Sequence, residues 1–194
     1  MSTPHFSTPP PATSFTKISF PTPRILLVTL SRPKQLNCIN RAGHIELDAL
    51  WTWLDNEPSL RVGIITGEGR AFCAGADLKE WSNAQPSHAS RRAPLPPSGF
   101  GGLSRRAGKK PIIAAINGLC LGGGCEISIN ADMVLASAAA TFGLPEVKRG
   151  VVALAGALPR LVRTVGRQRA MEMALTGRTL SAHEAREWGT LDSE

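Results

Sequence analysis

The 194-residue chain lacks several features that would mark it for particular roles. No apolar run approaches the roughly 20 residues that a membrane-spanning helix needs, so no such span is expected. The N-terminus has no basic patch followed by an apolar stretch, which excludes a secretory signal and leads us to expect an intracellular protein. The four cysteines, Cys38, Cys73, Cys120 and Cys125, form no CxxC pair, so zinc and dithiol chemistry are not indicated and buried reduced thiols are. No acidic residue lies between Trp81 and Cys125, a stretch that holds Arg91, Arg92, Arg105, Arg106, Lys109 and Lys110. Such a stretch admits an anionic partner, against the plainer reading of a solvated basic loop. The repeated aromatic residues that a nucleic-acid platform sets among its cations are missing, and nucleic acid is not the expected partner.

What the chain does contain is enough for one full-sized domain, with 42% hydrophobic residues and a formal charge of +7. Residues 1–13 are rich in Ser, Thr and Pro, and read as a disordered leader ahead of a core domain over residues 14–194. Residues 18–20 and 25–30 predict two short strands joined by a Pro-Thr-Pro turn, and Ser31-Arg32-Pro33-Lys34 ends that sheet segment. Asn40 is placed to cap a helix whose apolar face would hold Ile45, Leu47, Leu50, Trp51 and Leu54, with Pro58 as its limit. Residues 62–66 predict a buried strand that runs into the glycine-rich stretch 67–80. Residues 85–108 are long, Pro- and Gly-rich and weakly periodic, as in a mobile binding loop or a disordered insertion. Further on, strands are predicted at 133–136 and 141–142, and helices at 154–165, stopped by Gly166, and 167–175, stopped by Gly177. Ser181 and Glu184 have capping-box spacing for a last helix ending near Trp188.

The most informative stretch is residues 111–126. The β-branched run from Ile112 to Ile116 has the length of a buried strand, and Gly122, Gly123 and Gly124 then open a helix. Free amides at the start of that helix would favour developing negative charge, as half of an oxyanion hole. The alternative use of the glycines is to let a helix pack tightly against a sheet. A strand followed by a glycine loop and a helix start occurs twice, at 62–80 and at 112–131, so two sets of amides could meet at one acceptor atom. Glu126 follows Gly123 by three residues and Glu146 lies in a Pro-bounded loop. Singly they read as a first-turn carboxylate and a solvated loop charge; together, beside an oxyanion hole, they would suit acid and base chemistry.

These residues resemble the crotonase, or enoyl-CoA hydratase/isomerase, superfamily over about residues 15–189. The resemblance rests on Ser31-Arg32-Pro33-Lys34-Gln35-Leu36-Asn37, on Ala71 through Lys79, on Asn117 through Glu126 and on Phe142-Gly143-Leu144-Pro145-Glu146-Val147, with a later match at 170–177. It implies an α/β crotonase-like spiral of β-β-α units; a dinucleotide-binding sheet would use GxGxxG, which the glycine turn lacks. It further implies that the amides of Ala76 and Gly123 form the oxyanion hole, where a side chain at 123 would block the approach. Glu126 and Glu146 match the dyad that adds water to an enoyl-CoA thioester, or removes it, with no metal and no redox cofactor. Ala74, Asp77, Leu78, Lys79 and Gly122 fall at substrate- or coenzyme A-binding positions.

Isomerisation or thioester hydrolysis within the same fold, and non-catalytic binding of a partner chain or RNA, are the rival expectations. The resemblance is strongest to fungal members, some of which serve siderophore precursor synthesis. Where the family has a Pro-Gly-rich turn after the second glutamate, this chain has residues 150–158 without proline, which implies a differently shaped acyl pocket. The family also continues through C-terminal helices that cover the site and build trimers or hexamers, whereas this sequence stops at Glu194. A peroxisomal, mitochondrial or cytoplasmic setting is expected, and no SKL signal ends the chain.

Overall fold

Alternation of buried and half-buried residues in strand β2 (Ile25–Leu30) suits a strand with neighbours on both edges. A computed structural model describes residues 5–83 and 95–192 and places β2 between β1 (Thr16–Ser19), antiparallel, and β3 (Val62–Gly67), parallel. Strands β5 (Ile112–Ile116) and β7 (Met133–Ala136) extend this first sheet in parallel beyond β3. A second sheet is assembled from very short strands, β4 (Ala71–Cys73), β6 (Leu119–Leu121) and β8 (Thr141–Gly143), all parallel, with β9 (Thr179–Ser181) antiparallel at its edge.

The two sheets grow together. β3 and β4 lead to helix α2 (Leu78–Asn83), β5 and β6 lead to α3 (Gly123–Asn130), and β7 and β8 lead to a 3-10 turn (Pro145–Arg149). This is a spiral of β-β-α turns, as expected from the sequence. The strands β4, β6 and β9 were not expected, because three residues carry no usable periodicity.

Helix α1 (Arg41–Asn56) begins where expected: Gly43 N donates to the Asn40 side chain at 2.9 Å. Its buried face holds Leu47, Leu50, Trp51 and Leu54, but Ile45, expected on that face, is 60% exposed. A buried carbonyl outside the helix sets its position, since Trp51 Nε1 donates to Gly101 O at 3.0 Å. Helices α5 (Arg167–Thr176) and α6 (Ala182–Glu187) also follow the sequence, with Glu184 N donating to Ser181 Oγ at 3.1 Å. Helix α4 (Ala157–Val165) starts three residues later than the apolar pattern suggests. Gly156 has φ of +130°, outside any helix, and the preceding chain is used for packing on the site.

Two segments expected to be loose are packed. Of residues 85–108, those at 95–108 are described, and Phe100, Gly101, Gly102 and Leu103 are buried under α1 and α3. Arg91 and Arg92 lie outside the described residues. The remaining cations of that stretch satisfy protein groups: Arg106 pairs with Asp55 at 2.5 Å, and Lys110 Nζ donates to Leu54 O at 2.7 Å and Glu57 O at 2.5 Å. Lysine and arginine at the carbonyl end of α1 complement its dipole, which gives this basic stretch a structural use.

The expected leader likewise docks from residue 6 to residue 8. Phe6 stacks against Phe20 and Trp53 with ring centroids 4.7 and 5.2 Å apart, and Trp53 Nε1 donates to Thr8 O at 3.1 Å. Ser7 donates from its amide at 2.9 Å and its hydroxyl at 2.8 Å to the buried Glu57 carboxylate. Burial alone would raise the Glu57 pKa, but these bonds and those from Ser59 and Thr8 outweigh it and bring it down to about 2. A short segment poor in apolar residues is thus held by one ring and one carboxylate. Phe6→Ala should cost about 1–2 kcal/mol in urea unfolding, the range for losing a partly buried aromatic contact. An unchanged midpoint would return these residues to the status of a leader.

Candidate active site

The first of the two glycine loops is fixed from below by the Ser31–Asn37 stretch. Leu36 and Asn37 turn the chain with φ of 50° and 56°. The fully buried Asn37 donates to Glu68 O at 3.0 Å and Ala71 O at 2.7 Å, and accepts from Arg32 N at 2.9 Å. Arg32 reaches over the loop to donate to Cys38 O at 2.8 Å and to pair with Asp77 at 2.9 Å. Ile39 N donates to Gly75 O at 2.9 Å and Asp77 N donates to Ile39 O at 3.1 Å, a bridge that brackets Ala76. In such a parallel bridge the bracketed residue turns its own amide to the opposite side, so Ala76 N–H faces away from residue 39.

The second loop passes from β6 through Gly122, at φ of +55°, into α3. Gly122 N donates to Gly143 O at 2.9 Å and Glu126 N donates to Gly122 O at 2.9 Å, while the Gly123 amide belongs to the first turn, which has no helical acceptor. The two loops abut: a Cβ on Gly75 would stand 3.1 Å from Leu121 O and 3.3 Å from Gly123 N. Gly123 is also closely packed by the protein itself. A Cβ there would lie 2.5 Å from the Phe100 ring, so the space is already filled by protein. A Cβ on Gly124 would lie 2.3 Å from Cys73 O, which ties the start of α3 to β4.

Both glutamates come to this turn. Glu126 is 3% exposed, one turn into α3, and its Oε1 accepts from Ala157 N at 3.2 Å, the first residue of α4. Burial is the main cause of a pKa raised to about 7; the charge of Glu146 adds to it, and the amides of residues 155–157 act against it. Glu146 enters from the 3-10 turn after β8 and sets Oε1 over Gly122, where a Cβ would come within 3.0 Å. Its Oε2 is buried with no hydrogen-bond partner, and burial raises its pKa as well. A buried carboxyl with an unused oxygen, next to a second carboxyl and free amides, can hold a water or a substrate proton.

Phe100 is clasped from its far side by His44, edge-on with centroids 4.6 Å apart, and Gly101 N donates to His44 Nδ1 at 3.0 Å. Burial lowers the His44 pKa to about 4, so the ring is neutral and carries its proton on Nε2. Sequence reasoning assigned nothing to His44 or Phe100, and took in Asn37 and Gly75 only as members of the motifs that carry the resemblance.

The remaining expected binding residues surround the first loop. Ala74 is half-buried and its amide donates to Leu36 O at 3.0 Å, while Asp77 is taken up by Arg32 and by Lys79 N at 3.2 Å. Leu78 and Lys79 are exposed at the start of α2, so they border the loop and do not join the glutamates.

This arrangement and the spiral that carries it define a class. The chain belongs to the enoyl-CoA hydratase/isomerase family, whose profile matches residues 22–193, and its fold is the crotonase-type α/β spiral. Among solved structures it is similar to an enoyl-CoA hydratase from Bacillus anthracis, with TM-score 0.85 and 35% identity over 93% of this chain and 69% of that one. A carnitinyl-CoA dehydratase from Mycobacterium avium has TM-score 0.84 and 37% identity, with coverage of 93% and 70%. Two fungal relatives are more similar in sequence. The mevalonyl-coenzyme A hydratase of Beauveria bassiana is 61% identical in an alignment that covers 96% of this chain and 69% of that protein. That of Aspergillus fumigatus is 55% identical, with coverage of 90% and 64%. The chain therefore spans about two thirds of the length of these relatives.

The raised pKa of Glu126 has a sign that stability measurements can check. Between the ordinary 4.5 and about 7 the folded chain keeps a proton that the unfolded chain has released. Its contribution is therefore full below pH 4.5 and is lost as pH rises through about 7. His44 acts oppositely between about 4 and 6.5, because its folded form refuses a proton that the unfolded form takes. The comparison with Glu126→Gln separates the two: the variant should gain stability relative to the parent as pH rises from 5 to 8, read by urea midpoints. A constant difference across that range would mean that Glu126 titrates as an ordinary carboxylate.

Proposed function

We propose that the chain catalyses the reversible addition of water across the 2,3 double bond of a 2-enoyl-CoA thioester. The observation that carries the reading is the pair of buried Glu126 and half-buried Glu146, both with raised pKa, at the turn that frees the Gly123 amide. In this reading the amides of Ala76 and Gly123 receive the thioester oxygen, where charge collects as water attacks C3. One glutamate, ionised, takes a proton from the water as its oxygen bonds to C3. The other, protonated, delivers a proton to C2, and the electrons return from the thioester oxygen. The sum is enoyl-CoA plus water giving 3-hydroxyacyl-CoA, with no change in oxidation state, so the step calls for no redox cofactor.

Among possible substrates, the names of the two fungal relatives support mevalonyl-CoA, taken in the dehydrating direction to 5-hydroxy-3-methylpent-2-enoyl-CoA. Residues 150–158, which stand where the family has a Pro-Gly-rich turn, would bear the acyl-pocket difference that a branched, hydroxylated chain requires. A role in siderophore precursor synthesis and a trimeric or hexameric assembly belong to the same reading, and would extend it to the full length of the relatives. RNA binding through the basic stretch is less favoured, since Arg106 and Lys110 serve the end of α1.

Turnover of mevalonyl-CoA and of a short straight enoyl-CoA, followed by loss or gain of enoyl-thioester absorbance with product mass, tests the reading. Glu126→Gln and Glu146→Gln should each lower kcat by about 10²–10⁴-fold while circular dichroism stays unchanged, the range for losing a general acid or base. Undiminished turnover in both variants would remove the dyad. A product that shifts the double bond, or free coenzyme A, would favour the isomerase or hydrolase alternatives.

A further inference from the structure

The sequence holds no sign of what keeps the Glu126 carboxyl in place, because among the described residues the groups bonded to it are backbone amides of residues 155–157, where α4 begins. Residues 154–156 cross the site just ahead of α4, and a set of bonds from one direction holds them. Ser104, completely buried, donates from Oγ to Ala155 O at 2.5 Å and accepts from Phe100 N at 2.8 Å. Its own carbonyl accepts from Arg160 Nη1 at 3.2 Å, and the same Arg160 atom donates to Gly156 O at 3.3 Å. Arg105 Nη2 adds a bond to Leu154 O at 2.5 Å. Gly156 is pressed against this clamp: a Cβ there would lie 2.6 Å from Ser104 O and 2.7 Å from Arg105 Cγ, so no other residue lets the chain approach.

The two ends of the Ser104 hydroxyl lead to the two halves of the site. Through Ala155 it sets the peptides whose amides face Glu126, with Ala157 N donating to Oε1 at 3.2 Å. Through Phe100 N it sets the ring that packs on Gly123 and so the first turn of α3. We propose that Ser104 is a positioning residue, which holds Glu126 and the Gly123 amide in one fixed relation by bonding the segments packed on each. This rests on the hydratase reading for its catalytic meaning, but the structural part stands on the Glu126 contacts alone. A hydroxyl is needed because the position requires a donor to Ala155 and an acceptor for Phe100 at once.

Removing the hydroxyl leaves the Ala155 carbonyl and the Phe100 amide buried without partners, and loosens the amides around Glu126. Those amides favour the ionised carboxylate, so their loss raises its titration midpoint. Glu146, on the turn after β8, is the charged group acting on Glu126, and Ser104→Ala leaves it untouched. Arg160 and Arg105 lie behind the segment, bound to backbone carbonyls.

The experiment is a carbon-13 NMR titration of the glutamate-labelled chain, with the Glu126 signal assigned by its absence in Glu126→Gln. The midpoint should rise by about one pH unit in Ser104→Ala, the size of one strong amide bond to a carboxylate. Ser104→Thr, which keeps the hydroxyl, should restore it. With a turned-over enoyl-CoA as substrate, kcat should fall about tenfold in Ser104→Ala with KM within about twofold, as for a misplaced acid–base group. If Ser104→Ala does not fold, Arg160→Met loosens the same clamp from its half-exposed side and should raise the midpoint in the same direction. An unmoved midpoint in a folded variant, or no restoration by threonine, overturns the proposal. A wild-type chain that turns over no enoyl-CoA removes the hydratase reading, while the midpoints still decide whether Ser104 positions Glu126.

Discussion

A buried carboxyl and a half-buried one within reach of each other's charge cannot both be ionised cheaply, and the loops around them are arranged on that constraint. Removing a carboxylate from water costs several kcal/mol unless bonds to the charged form replace its hydration. Glu126 receives such bonds from the amides ahead of α4, and Glu146 leaves one oxygen without any. The pair is therefore held between states, with burial pushing toward the neutral form and the amides toward the charged one. The proposed hydration, which takes one proton and gives another near neutral pH, would use that balance.

The backbone does the balancing, and this explains why so much of the surrounding structure is irregular. Amides become available where regular hydrogen bonding stops, at Ala76 beside its bridge, at Gly123 in the first turn of α3 and at residues 155–157 where α4 begins. Each of these breaks is held open by a separate device. Arg32 and Asn37 brace the first, Phe100 and His44 pack on the second, and Ser104 with Arg160 grips the third. The spiral brings them together because each β-β-α turn ends its short strand on the same side of the molecule, one strand spacing from the last.

What could be read from the sequence follows from this division. Features that depend on neighbours along the chain were legible: the Asn40 and Ser181 caps, the glycine stops, the β5 strand ahead of the Gly122–Gly124 turn and the two glutamates in their motifs. Features decided by distant contacts were not. Phe6 lies in a segment too polar to fold by itself, yet Trp53 and Phe20 supply the apolar surface that it lacks. Arg106 and Lys110 look like a free basic patch until Asp55 and the end of α1 arrive opposite them. The helix pattern from Leu154 onward was real, but it was overruled by Gly156, whose approach to Ser104 has no local signature.

The same segment has two uses. The amides of Ala155 and Gly156 face Glu126, while Val152 and Leu154, just ahead of them, stand 59% and 72% exposed. Exposed apolar side chains on a backbone that is rigidly clamped can change identity without disturbing the carboxylate behind them. Substitutions at 152 and 154 are thus free to alter what packs beside the site, whereas Gly156 and Ser104 are not. Contact with Glu126 and contact with solvent are thus separated along a single stretch of chain.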